Sequence, residues 1–196
     1  MGGRFVRLFA RRYPGEVVGM VLVDAEHEDG LFMGVGGKPV AISTLSDAEF
    51  DAAFQVPTAP IVVPEARLQP AHERLPEDLQ RVRLWLERRF LASMRTATPD
   101  SIVATMRSEH AALAMLHRLS ASEEHPLKDL PLVVLTRGLD ENPRRLRMQA
   151  DLARLSANSR QVVVRDSDHE IHLFRPDVVI QAIADVSAAA RTHRGL

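Results

Sequence analysis

The sequence predicts an α/β protein with a partial parallel sheet, and three observations carry that expectation. Buried-strand runs alternate with helical stretches at both ends of the chain. The strand runs are nearly continuous in β-branched and apolar residues, as expected where both faces of a strand are covered. Between the first and second of them lies a long segment of mostly helical periodicity that breaks the alternation.

Residues 4–12, RFVRLFARR, read as a short amphipathic helix with Phe5, Leu8 and Phe9 on one stripe and arginines opposite. Tyr13-Pro14-Gly15 ends it. The first strand is VVGMVLVD, residues 17–24, and an acidic loop, AEHEDG, follows. GVGGKPV, residues 34–40, is too glycine-rich for regular structure and reads as a hinge, since it lacks the full phosphate-loop pattern. Residues 55–70 hold Pro57, Pro60, Pro64 and Pro70 and read as an irregular connection. One helix is expected over about 76–95, with Leu79, Val82, Leu86 and Phe90 at helical spacing, packed in the ordinary way. A second is expected from Thr98-Pro99 to about Leu119, with Ile102, Met106, Leu113 and Leu116 as its apolar side. LPLVVLT (130–136) and QVVVRD (161–166) are the second and third strands, and helices are expected over 144–155 and 176–190. Residues 1–29 and 126–196 thus form the α/β part, and 30–125 a mostly helical insertion. Three strands make a thin sheet, and the first helix has no strand before it.

Composition removes several function classes. Twenty-five Lys and Arg against 26 Asp and Glu leave a net charge of -1, so no field of one sign exists to recruit nucleic acid or an anionic membrane. With no cysteine there is no disulfide framework, thiolate metal site or cysteine nucleophile. No run approaches the ~20 apolar residues of a membrane span, and no signal-peptide core is present, so cytoplasm is the expected location. Asp24, Glu26, His27, Glu28 and Asp29 form an acidic cluster whose spacing fits no defined ligand set, so it reads as a solvated loop. No metal or cofactor is expected.

The strongest local feature is SDHEIHLFRPDVVIQAI, residues 167–183. A buried strand ends at about Arg165, a polar loop presents His169, and Pro176 starts a helix. Reactive groups in open α/β sheets lie past the carboxyl ends of parallel strands, and an imidazole exchanges protons near neutral pH.

Four segments, taken in order, resemble the α/β-hydrolase family. MGGRFVRLFARRYP resembles the stretch after the nucleophile elbow, G-x-S-M-G-G, that runs into a helix. VVGMVLVDAEHED resembles the next strand of that sheet, and LPLVVLTRGLD the following one. HxIHxxxPDxVxxAI resembles the histidine loop, in the family's order of Ser, acid, His. The resemblance implies a partial α/β-hydrolase sheet with a helical lid, acting on an ester or similar small carbonyl substrate through an acyl-serine intermediate. It implies His169 as general base, although Asp168 precedes it where the family usually carries glycine. It implies Met1, after the serine, as a backbone oxyanion-hole donor, and Gly2 and Gly3 as the small residues of a tight turn. The acid is Asp140, after the second strand, or Asp24, at the end of the first. His172 matches a structural position. No serine of the chain lies in G-x-S-x-G, so the resemblance places the nucleophile before Met1 and leaves a sheet edge open to self-association. The alternative is a non-catalytic interaction module derived from the same fold.

Overall fold

A computed structural model describes residues 2–33, 37–54, 62–139 and 142–196. Five strands and seven α-helices occur among them: α1 Gly2–Arg12, β1 Met20–Val23, β2 Leu31–Met33, β3 Pro39–Ala41, α2 Asp47–Ala53, α3 Glu77–Arg95, α4 Pro99–Ser122, β4 Leu132–Arg137, α5 Pro143–Ala153, β5 Ser159–Val164, α6 Ile171–Phe174 and α7 Pro176–Thr192. The central sheet is parallel, in the order β1-β4-β5, with Met20 opposite Leu132 and Leu132 opposite Ser159. Its three strands are those expected from the sequence.

β4 is central because its side chains are apolar on both faces. Leu132 and Val134 point into one cluster with Ala10, Met20, Leu22, Leu152 and Leu155, so α1 and α5 cover that face. Val133 and Leu135 point into the other with Val164, Ile171, Ala182 and Val186, where α6 and α7 lie. The alternation follows from the two-residue period of a strand. Local signals start the helices. Thr98 and Ser101 form a capping box at α4, with Pro99 at its first position. Asn142 accepts hydrogen bonds from the backbone N–H groups of Arg144 and Arg145 at α5.

Four sequence expectations need correction. Ser46 and Glu49 close a capping box on the unforeseen helix α2, and β2 pairs antiparallel with β3, Leu31 opposite Ala41. Regular structure therefore reaches into 34–40, of which 34–36 lie outside the described residues.

The second correction concerns α1. Arg4 and Arg7 are each 2% exposed, whereas Phe5 (53%) and Phe9 (46%) face outward with Val6 and Tyr13. The helix buries its charged side. The third explains it, because the acidic loop after β1 is not solvated. Glu28 is 1% exposed and accepts from Arg7 Nη1 at 2.6 Å and from Ser120 Oγ at 2.5 Å. Arg7 Nη2 also donates to the Glu26 carbonyl at 3.0 Å. Arg4 is paired with the Glu26 carboxylate and lies 3.4 Å from Glu109 of α4. Buried charges persist only when paired and hydrogen-bonded, and here the partners come from β1's loop and from α4. Burial would raise the Glu28 carboxyl, but Arg7, His27 and Ser120 outweigh it and hold the group down at about 2. The fourth concerns α3, whose expected packing stripe, Leu79, Val82, Leu86 and Phe90, is exposed.

Candidate active site at the carboxyl ends of the parallel strands

Each of the three parallel strands, or the loop that follows it, delivers an ionisable group at its carboxyl end. Asp24 directly follows β1, and its backbone adopts φ 41. Aspartate is one of the few residues that enter this left-handed region readily. The Asp24 N–H still donates to Leu135 O at 2.7 Å, so the turn stays attached to β4. The loop after β5 delivers His169, and β4, between them, ends in Arg137.

The His169 loop is held against β4 by its backbone. Gly138 and Leu139 each donate an N–H to Ser167 O at 3.2 Å, and Ser167 is fully buried. Gly138 permits this approach, since a Cβ there would lie 2.6 Å from the Arg165 Cα. Asp168 accepts from the His169 backbone N–H at 2.7 Å and lies 3.4 Å from Arg137 Nη1. Asp168 thus braces the loop through its own carboxylate.

Across this frame His169 Nδ1 lies 2.7 Å from Asp24 Oδ2. An ionised carboxylate only accepts, so Nδ1 carries the proton and Nε2 is the basic nitrogen. The two partners differ in exposure: the Asp24 side chain is 4% exposed and that of His169 65%. The hydrogen bond that Nδ1 donates to Asp24 raises the imidazole pKa above its ordinary value. Partial burial opposes it, the Asp24 charge adds to it, Arg137 counters it and Glu170 adds slightly. Arg137 also holds Asp24, through its backbone N–H to Oδ1 at 3.4 Å and its Nε 3.4 Å from Oδ2.

Asp24 and His169 share the wall of a cavity of about 790 Å³ with Gly2 and Gly3 of α1, Phe32 of β2 and Glu109 of α4. The amino-terminal end of α1 therefore opens onto the space beside the imidazole. A Cβ on Gly3 would meet the Ala25 Cβ at 2.5 Å, so only glycine lets α1 approach the loop after β1 this closely. The insertion also touches the histidine loop. His72, buried, has Nε2 3.0 Å from both Glu170 Oε1 and Arg83 Nε, and the Arg74 guanidinium stacks 4.3 Å from the Phe174 ring centre.

Of the residues singled out from sequence, the fold brings together His169, Asp24, Gly2 and Gly3. Asp140, the first choice for the acid, and Met1, the oxyanion-hole donor, lie outside the described residues. His172 is exposed. Sequence reasoning missed Arg137. Its signal was a charged residue directly ending a strand otherwise buried on both faces. No group of His, Asp or Glu among the described residues could hold a metal ion, and no helix among them is long and apolar enough to cross a membrane. No family model matches the chain, and no curated protein or solved structure matches it either.

Proposed function

We propose that this chain carries the base and the acid of an α/β-hydrolase-type serine hydrolase acting on an ester or similar carbonyl substrate. His169 is the general base and Asp24 the group that orients it. The single observation that carries the reading is the 2.7 Å contact between His169 Nδ1 and a buried Asp24 carboxylate, at the carboxyl ends of parallel strands and in one cavity with Gly2 and Gly3. In this reading Nε2 takes the proton of a serine hydroxyl as its oxygen attacks the substrate carbonyl. The imidazolium, stabilised by Asp24, then returns that proton to the departing alkoxide, and water releases the acyl group by the same route. No serine is among the described residues lining the cavity. By the resemblance, the nucleophile of this reading would be a serine before Met1, and the Met1 backbone N–H one oxyanion donor. The segment from 30 to 125 then serves as the lid, because β2 and α4 wall the cavity.

The test uses the polypeptide encoded in frame upstream of and through this chain, treated with a fluorophosphonate probe. One serine just before Met1 is expected to label, and both His169→Ala and Asp24→Ala slow that labelling by at least about a hundredfold. Labelling at the same rate in the His169→Ala variant removes the assignment.

The apolar outer face of α1, Phe5, Val6, Phe9 and Tyr13, and the unpaired edge of β1 among the described residues favour a second reading, an interaction module. It predicts a folded, partner-bound chain with no role for His169.

A further inference from the structure

The helix α3 has nineteen residues, of which only Leu91 is buried. A helix of this length in water is marginal on propensity alone and draws its stability from a covered apolar face. Here the apolar face is bare. Leu79, Val82, Leu86 and Phe90, spaced three and four residues apart, are each 46–58% exposed. They form one continuous stripe with Trp85 beside it, over which the Arg89 guanidinium is stacked at 5.0 Å.

The charges beside the stripe say what covers it. Asp78 and Arg89 are both exposed. They are separated by about three helical turns, so they lie on the same flank of the stripe, at its two ends. If two such helices lie antiparallel about a two-fold axis near the middle of the stripe, equal flanks face each other and opposite ends meet. Asp78 of each copy then lies against Arg89 of the other, twice over, while Val82 lies opposite Leu86. A parallel arrangement sets this flank against the opposite flank of the partner helix, so Asp78 and Arg89 do not meet. We propose that two copies of this chain associate through α3, antiparallel, with the Leu79–Phe90 stripe as the shared core and the Asp78 and Arg89 pairs setting direction. The surface is separate from the β1 edge and the outer face of α1, and the pairing makes no use of His169, so it stands or falls apart from the hydrolase reading.

Sedimentation velocity of the 196-residue chain, from about 1 to about 200 μM, reads the outcome. A species of twice the 21.8 kDa chain mass is expected. Leu86→Glu, at a position whose side chain is about half exposed, is expected to abolish it while leaving the far-UV circular dichroism unchanged. Asp78→Arg and Arg89→Asp are each expected to weaken association about tenfold, because each removes two symmetric pairs and adds repulsion. The double variant Asp78→Arg/Arg89→Asp is expected to recover most of the lost affinity. It keeps any local cost of each change to helix or ring, so recovery reports the cross-helix pair alone. A chain that stays monomeric, or that instead binds phosphatidylglycerol vesicles through Leu86, overturns the proposal. So does a dimer indifferent to Leu86→Glu, and a dimer whose charge-swapped double variant shows no recovery.

Discussion

Beneath α1 and around β4 the protein buries its side chains with opposite chemistry. In β4 the residues Leu132, Val133, Val134 and Leu135 have no exposed surface, and their buried polar neighbour, Thr136, accepts a hydrogen bond from Gln161 at 2.9 Å. Beneath α1 the buried groups are Arg4, Arg7 and Glu28, with Glu26 and Glu109 at the margin. The apolar layer gains from removal of surface from water, which is indifferent to direction. The ionic layer gains only where a guanidinium meets a carboxylate or carbonyl oxygen, so it sets the rotation of α1 about its own axis. That rotation turns Gly3 toward Ala25 and opens the start of the helix onto the cavity with His169.

Breaking one member of the ionic layer is the strongest test of this difference. Glu28→Ala leaves Arg7 buried with its main acceptor gone, and a loss of about 3–5 kcal/mol is expected in urea denaturation. Replacing both together, Arg7→Met with Glu28→Leu, is expected to recover most of it, because the desolvation cost leaves with the charges. The Glu28 carboxyl is held at about 2, below its unfolded value of 4.5. Its contribution is therefore complete above about 4.5 and disappears as pH falls toward 2. Leu135→Ala in the apolar layer is expected to cost about 2–5 kcal/mol, with no such acid dependence. If Glu28→Ala and Leu135→Ala lose stability in parallel from pH 3 to pH 7, the two layers do not differ in the way described.

The same comparison shows what was legible in the sequence. β1, β4, β5, α5 and α7 could be read because the signals that form them, β-branched runs, caps and prolines, lie within each element. The rotation of α1 could not, because Arg4 and Arg7 meet partners from 19 to more than 100 residues away. A helix of alternating arginines and phenylalanines is amphipathic whichever side faces in. The hairpin of β2 and β3 was hidden by glycines that local propensity counts against a strand. In the site, His169 stood out through its motif. Its pairing with Asp24 joins residues 145 apart, and depends on β4 inserting between β1 and β5 in the sheet. Asp140, after the second strand where the resemblance more often places the acid, is the first choice from sequence, and it lies outside the described residues.

A smaller effect is expected where the His169 loop meets β4. Gly138→Ala places a methyl 2.6 Å from the Arg165 Cα and 2.9 Å from the Val164 carbonyl oxygen, both backbone atoms that cannot rotate away. A cost of about 1–3 kcal/mol is expected from such overpacking. The variant is also expected to move Ser167 and with it the imidazole, so the His169 ring signals in an NMR spectrum shift while those of His110 of α4, bonded to Leu45 O, stay in place. Unmoved His169 signals would mean that the loop is positioned by something other than this contact.

The smallest expected change in stability comes from the dyad itself, and it is the one whose sign is most informative. His169 is raised above its ordinary value first by its hydrogen bond to Asp24. A group with a raised folded-state value contributes stability that is fully present below its unfolded value, near ~6.5, and is lost as pH rises through the folded one. Asp24→Asn removes the charge that favours the imidazolium, and leaves Arg137 to disfavour it. The variant is therefore expected to fall furthest behind the wild type at pH 5, with the gap in Tm narrowing by pH 9. The NMR titration of His169 is expected to move to lower pH. The ionic layer beneath α1 behaves in the opposite sense, since Glu28 contributes more as pH rises from 2 to 5. A single scan of Glu28→Ala and Asp24→Asn across pH 3 to 9 thus separates a buried carboxylate that anchors a helix from one that serves an exposed imidazole. A gap for Asp24→Asn that widens toward pH 9 would show that Asp24 holds Arg137 rather than His169.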